Sequence, residues 1–199
     1  MKPFAWLAIG AALLASTAAL AQGGPHPVRG VVTAVGDNTL TLTGADGAPV
    51  TVALAPTWIV SVMKPIAADA IVPGSFIGSA EMPQADGAGR SLEVHIFPPG
   101  VKMGEGHYAW DSQPGAMMTN GTVGTVTASS NGRELDVSYP SGTRHLVVPA
   151  GVPIVQITPG DRSMLKPGVK VFLIAVKTAS GELVTNGAAV GVHGKAPPM

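Results

Sequence analysis

The chain has 199 residues, with twelve Lys and Arg against twelve Asp and Glu, a formal net charge of zero, and no Cys. That balance excludes the phosphate-neutralising surface of a nucleic-acid binder and anchoring on an anionic membrane, and the lack of Cys excludes disulfides, thiolate metal sites and thiol nucleophiles. With 26 Gly and 18 Pro spread among short Val, Thr, Leu and Ile runs, and only 12% charged residues, the composition predicts an all-β chain with many tight turns rather than disorder.

Residues 1–21 read as an export signal. Lys2 gives the basic start, residues 7–20 an apolar run, and Ala19-Leu20-Ala21 a small-x-small cleavage pattern that makes Gln22 the mature N-terminus. The run is too short and too Ala-rich for a permanent span, and no membrane span is read after it. The expected location is therefore periplasmic or secreted.

After a Gly/Pro lead-in, residues 29–35 form the first expected strand. Gly36-Asp37-Asn38 turns the chain into Thr39-Leu40-Thr41-Leu42-Thr43, a clean polar/apolar alternation. Asp46-Gly47 is a hairpin signal, and Val50, Val52 and Leu54 put apolar side chains on one face of a third strand. Pro56 is expected to break that run, leaving 58–62 as a short extended piece. Residues 66–71 suit a single helical turn before Pro73-Gly74. A fourth strand follows near 76–81, then an Asp86-Gly87 turn. A fifth strand has Leu92, Val94 and Ile96 inward and His95 outward.

The same order returns in the second half. Gly30-Val31-Val32 corresponds to Gly121-Thr122-Val123, Leu40/Leu42 to Leu135/Val137, and Pro73-Gly74 to Pro167-Gly168. Shared turn positions at a nearly constant offset point to a duplicated unit. The expected architecture is all-β: two tandem five-stranded OB-like small barrels after the signal peptide. Residues 22–98 are unit one, 99–118 an inter-unit segment, and 119–199 unit two with a short C-terminal tail. Residues 171–176 are apolar on both faces, as a strand at the seam between two barrels would be.

The stretch Gly30-Val31-Val32-Thr33-Ala34-Val35, the Leu-Thr-Leu strand, the Asp-Gly turn and the later Pro-Gly resemble a family of exported bacterial β-barrel domains of unknown function. Gly104-Glu105-Gly106-His107, Trp110-Asp111, Pro114-Gly115 and Met118-Thr119-Asn120 resemble its two-unit members, some recorded under a metal-transporter permease label. The resemblance spans nearly the whole mature chain. It implies the barrel fold, export and a metal context.

Residues 99–118 concentrate the candidate chemistry. His107 with Met103, Met117 and Met118 offers an imidazole and thioethers, a donor set suited to copper, with zinc as the other candidate. The alternative is that these Met side chains fill the gap between barrels, since Met packs irregular space. Tyr108, Trp110 and Asp111 offer a stacking platform for a sugar or small ring; alternatively Trp110 is a hydrophobic plug and Asp111 a turn cap. Catalysis is not expected. Ser163-Met164-Leu165-Lys166 matches a Ser-x-x-Lys pattern without the companion motifs of penicillin-recognising enzymes. Glu105 with Asp111 would be a carboxylate pair held on a Gly-flanked segment, a poor support for catalysis. The expected function is a non-enzymatic binding or structural module of the cell envelope. Its expected partner is an envelope protein or small ligand, with no resident cofactor unless copper or zinc binds at His107.

Overall fold

The structure, a computed structural model, describes residues 24–199; the export signal expected at 1–21 and its cleavage after Ala21 lie outside them. In chain order the described strands are β1 (His26–Val35), β2 (Thr39–Gly44), β3 (Pro49–Pro65), β4 (Phe76–Pro83), β5 (Gly89–Ser91), β6 (Val94–Ile96) and β7 (Gly106–Ala109). The second half supplies β8 (Met117–Ser129), β9 (Gly132–Tyr139), β10 (Gly142–Pro149), β11 (Ile154–Pro159), β12 (Lys170–Lys177) and β13 (Leu183–Gly191). All thirteen belong to one continuous sheet.

Five strands close a barrel. The β1–β2–β3 meander is antiparallel; β12 pairs antiparallel with β1, β13 with β12, and β13 returns parallel to β3. Alternation fills its interior. Leu40, Leu42 and Val52 are fully buried, and they meet Val32, Val171, Leu173 and Ala175 from the other strands. The intervening Thr39 is exposed, and Thr41 and Thr43 are only partly buried.

Five further pairings close a second cycle: β8 with β9, β9 with β10, β10 parallel to β5, β5 with β4, and β4 back to β8. Ile77, Val94, Val123, Leu135, Val137 and Leu146 form its core. The two cycles trade strands. The sequence reading of 22–98 and 119–199 lets each half close on itself, whereas in the ladder β12 and β13 complete the cycle begun by β1–β3, and β4 and β5 complete the one begun by β8–β10. Matching contacts mark the two crossings. Gly74 N–H donates to Val123 C=O at 2.8 Å and Val123 N–H to Ser75 C=O at 2.9 Å. Gly168 N–H donates to Val32 C=O and Val32 N–H to Val169 C=O, both at 2.8 Å.

The seam is a third cluster. Met63, Val155, Phe172 and Ala189 are buried there, with Trp110, Ile157, Ile174 and Met199 packed against them. Strand β12 faces two cores, Val171, Leu173 and Ala175 into the first barrel and Phe172 into the seam. This is the double burial its unbroken apolar sequence calls for.

Two local expectations are corrected. Pro56 does not end the third strand, because β3 runs on to Pro65. Its pairing with β13 skips there, from Leu54 opposite Thr185 to Ile59 opposite Gly187, so the proline sits in a bulge where its missing N–H deprives no ladder partner. His95 does not face outward. It is 3% exposed, with the Phe97 ring on it at 5.1 Å and β4 alongside through the pair Gly78–His95. Alternation places it on the face opposite Val94, and that face is covered as well.

Candidate functional site

The short hairpin of β7 and β8 carries most of the residues singled out in the sequence, and its register sorts them. His107 is opposite Thr119 and Ala109 opposite Met117; Tyr108 is opposite Met118 and Gly106 opposite Asn120. Directly paired residues share a face and successive residues alternate. His107, Thr119 and Met117 therefore lie on one side, with Tyr108, Met118 and Asn120 on the other.

On the first side a buried polar network stands behind His107. Its Nδ1 is 2.9 Å from Thr119 Oγ1 and 3.5 Å from Glu81 Oε1. Glu81 has no exposed surface, and Arg144 donates Nε–H to its Oε1 at 2.8 Å. The same guanidinium donates to the carbonyls of Gly87 at 2.8 Å and Ala88 at 3.2 Å. Gly89 is required beside it, because a Cβ there would collide with the Glu81 carboxylate. Burial of the imidazole is the largest influence on His107 and lowers its pKa from 6.5; Glu81 opposes this, and Arg144 adds to it. Burial prevails, so His107 is held as a neutral ring with Nδ1 occupied, stacked near Tyr139 at 6.2 Å.

The four residues expected to share a metal do not converge. Met118 is buried on the face opposite His107, and Met103 is 62% exposed on the loop before β7. Met117 alone shares the His107 face. Among the described residues no group of three or more His, Asp or Glu is placed to hold a metal ion.

On the second side the expected platform residues do gather. Tyr108, Trp110 and Asp111 line a cleft of about 330 Å³ with Ala109, Pro25 and Pro27. The Tyr108 and Trp110 rings meet edge to face at 6.4 Å. Behind them Trp110 rests on Phe172 at 6.3 Å, and the Arg29 guanidinium lies over both rings at 5.9 and 5.3 Å. Arg29 also holds Asp111 through two 2.9 Å bonds and donates to the Met199 carbonyl at 2.7 Å. Trp110 thus plugs the seam with one side and walls the cleft with another, while its indole N–H is buried without a partner among the described residues. Burial raises the pKa of the Tyr108 phenol above 10.0.

Sequence reasoning missed Glu81, Glu93, Thr119 and Arg144. Each sits singly at a strand end or on a strand face where a polar residue is ordinary, so only the fold reveals that they are buried. Glu105 and Ser163, considered for catalysis, are both exposed. Compared with family models, curated proteins and solved structures, the chain matches none.

Proposed function

We propose that the protein is an exported, non-catalytic binding module of the cell envelope, periplasmic or secreted, that takes a sugar ring or similar small ring in the cleft at Tyr108 and Trp110. The scaffold in this reading is a pair of OB-like units, each a meander of three strands completed by two strands from the other half of the chain. Small barrels of that order present aromatic faces to oligosaccharides. The observation that carries the reading is the meeting of Tyr108, Trp110 and Asp111 in one cleft, with Trp110 backed by Phe172 and Arg29. A rigid aromatic wall suits ring stacking, and the near-zero net charge of the chain disfavours single-stranded nucleic acid as the occupant.

The test is a fluorescence titration of the mature protein with cello- and chito-oligosaccharides. Trp6 falls in the signal, so a Trp58→Phe background leaves Trp110 as the sole reporter. A saturable change that Tyr108→Ala abolishes supports the reading; a flat response to both sugar series overturns it.

A second reading, copper or zinc binding at His107, has one observation in its favour. Thr119 and Glu81 occupy Nδ1, the outer-shell arrangement that commonly orients a metal-ligating imidazole. Titration with copper(I), copper(II) and zinc, native against His107→Ala, decides it; equal binding by the two removes His107 from any metal site.

A further inference from the structure

We propose that Asn120 is the positioning residue of the cleft, gripping Tyr108 with its amide nitrogen while an Nε2–H of His95 holds its amide oxygen. The inference rests on the cleft reading above and names residues that control its wall.

The orientation of the Asn120 amide follows from what surrounds it. One end lies 3.3 Å from the Met103 carbonyl oxygen, 3.0 Å from that of Gly104 and 3.0 Å from Tyr108 Oη. Carbonyl oxygens only accept, so the atom facing them is the donor Nδ2. Rotating the amide by half a turn would set three oxygens against one another. Oδ1 therefore points the other way, into the protein, where it is buried and makes no hydrogen bond among the described residues. Buried acceptors are almost always satisfied, so a donor is needed there.

His95 is placed to supply it. A Cβ on Gly78 would strike Asn120 Oδ1 and His95 Nε2 alike, so both atoms crowd the same patch of β4 backbone. The other ring nitrogen is occupied: Nδ1 lies 3.1 and 3.3 Å from the two oxygens of Glu93, and Glu93 Oε1 accepts the Ala80 N–H at 2.8 Å. A neutral ring with its proton on Nδ1 would set the Nε2 lone pair beside the unpaired Oδ1, acceptor against acceptor; the buried oxygen instead calls for a hydrogen on Nε2, with a further proton shared between Nδ1 and Glu93.

No competing charge intrudes among the described residues. Glu93 is the one ion-pair partner of His95, and β11 sets Val155 against it. Phe97 covers its ring, Phe76 packs on Phe97, and Lys102 lies over Phe76 at 5.7 Å. Glu81, Arg144 and His107 form their network on the opposite face of β8. The order of support is Glu93, His95, Asn120, then Tyr108 with residues 103 and 104.

The full mature chain labelled with ¹⁵N-histidine tests this directly by long-range proton–nitrogen correlation. The His95 Nε2 signal is expected in the protonated, pyrrole-like range; an unprotonated, pyridine-like Nε2 overturns the proposal. Substitutions then test the linkage. His95→Leu and Asn120→Asp should each shift the Tyr108 ring resonances and weaken chitotetraose binding about tenfold. His95→Gln, whose amide nitrogen takes the place of Nε2, should restore both. Equal loss in the Leu and Gln variants would reduce His95 to a packing role and refute the assignment. If the native protein binds neither chitotetraose nor cellotetraose, the cleft reading fails by itself, and the His95 nitrogen and Tyr108 ring signals still decide this inference.

Discussion

Arg144→Met is the sharpest perturbation of the network behind His107. It keeps most of the side-chain stem and removes the guanidinium that neutralises Glu81. Glu81 has no exposed surface and its Oε2 already lacks a hydrogen-bond partner among the described residues. Only Thr119 at 3.3 Å and His107 at 3.5 Å would remain near Oε1, and the carbonyls of Gly87 and Ala88 would lose their donor. Removing one member of a buried ion pair costs about 3–5 kcal/mol, because the partner charge stays buried. At about 2–4 °C per kcal/mol for a chain of this size, the melting temperature should fall by about 6–20 °C. Urea unfolding followed by circular dichroism measures the free energy. The double variant Glu81→Met with Arg144→Met should recover most of the loss, because no uncompensated charge is left. Asp111→Asn, at the half-exposed pair with Arg29, should cost at most about 1 kcal/mol. A single Arg144→Met variant within about 1 kcal/mol of native, or a double variant no better than the single, would refute the reasoning.

Three further outcomes follow from the same geometry. The folded-state pKa of His107 lies below its unfolded value of 6.5. The stability held in its neutral ring is therefore whole above that value, and it is lost as pH falls from there through the folded pKa, since the unfolded chain takes the proton first. The urea midpoint of native relative to His107→Gln should accordingly drop as the pH falls below about 6.5. Gly89→Ala drives a methyl into the Glu81 carboxylate, so calorimetry should show at least the about 1–3 kcal/mol typical of overpacking. Because the chain has no Cys, strand exchange is testable by a single engineered disulfide. Val31→Cys with Lys170→Cys, opposite each other on β1 and β12, should cross-link on oxidation, whereas barrels that each closed on their own half would leave the pair reduced.

The elements themselves were legible because turn chemistry and alternation are local. Asp46-Gly47 and Asp86-Gly87 turn as their sequence demands, with Gly47 and Gly87 at φ of 81° and 86° and each Asp accepting the N–H two residues on. Leu40, Leu42, Leu135 and Val137 are buried as their spacing predicts. Strand partnership was not legible, because alternation names a face and not a neighbour. The segments after Pro73-Gly74 and after Pro167-Gly168 carry similar patterns, and either could complete either meander. Pro56 misled because its bulge depends on β13, more than a hundred residues away in sequence. His95 misled because alternation gives it the face opposite Val94 but cannot say that Phe97 and β4 cover that face. The aromatic cleft was half visible. Tyr108, Trp110 and Asp111 stood out by composition, while Asn120 drew notice only inside a motif, and its grip on Tyr108 needed the β7–β8 register to appear.

The claim that the β7–β8 hairpin carries the binding site is tested most directly by mapping backbone amide shifts as chitotetraose or cellotetraose is added to the ¹⁵N-labelled protein comprising residues 22–199. The account predicts perturbations that cluster at Tyr108, Ala109, Trp110 and Asp111 and at His26 and Val28 beside the lining prolines. Perturbations confined to other surfaces, or none at saturating sugar, would contradict it.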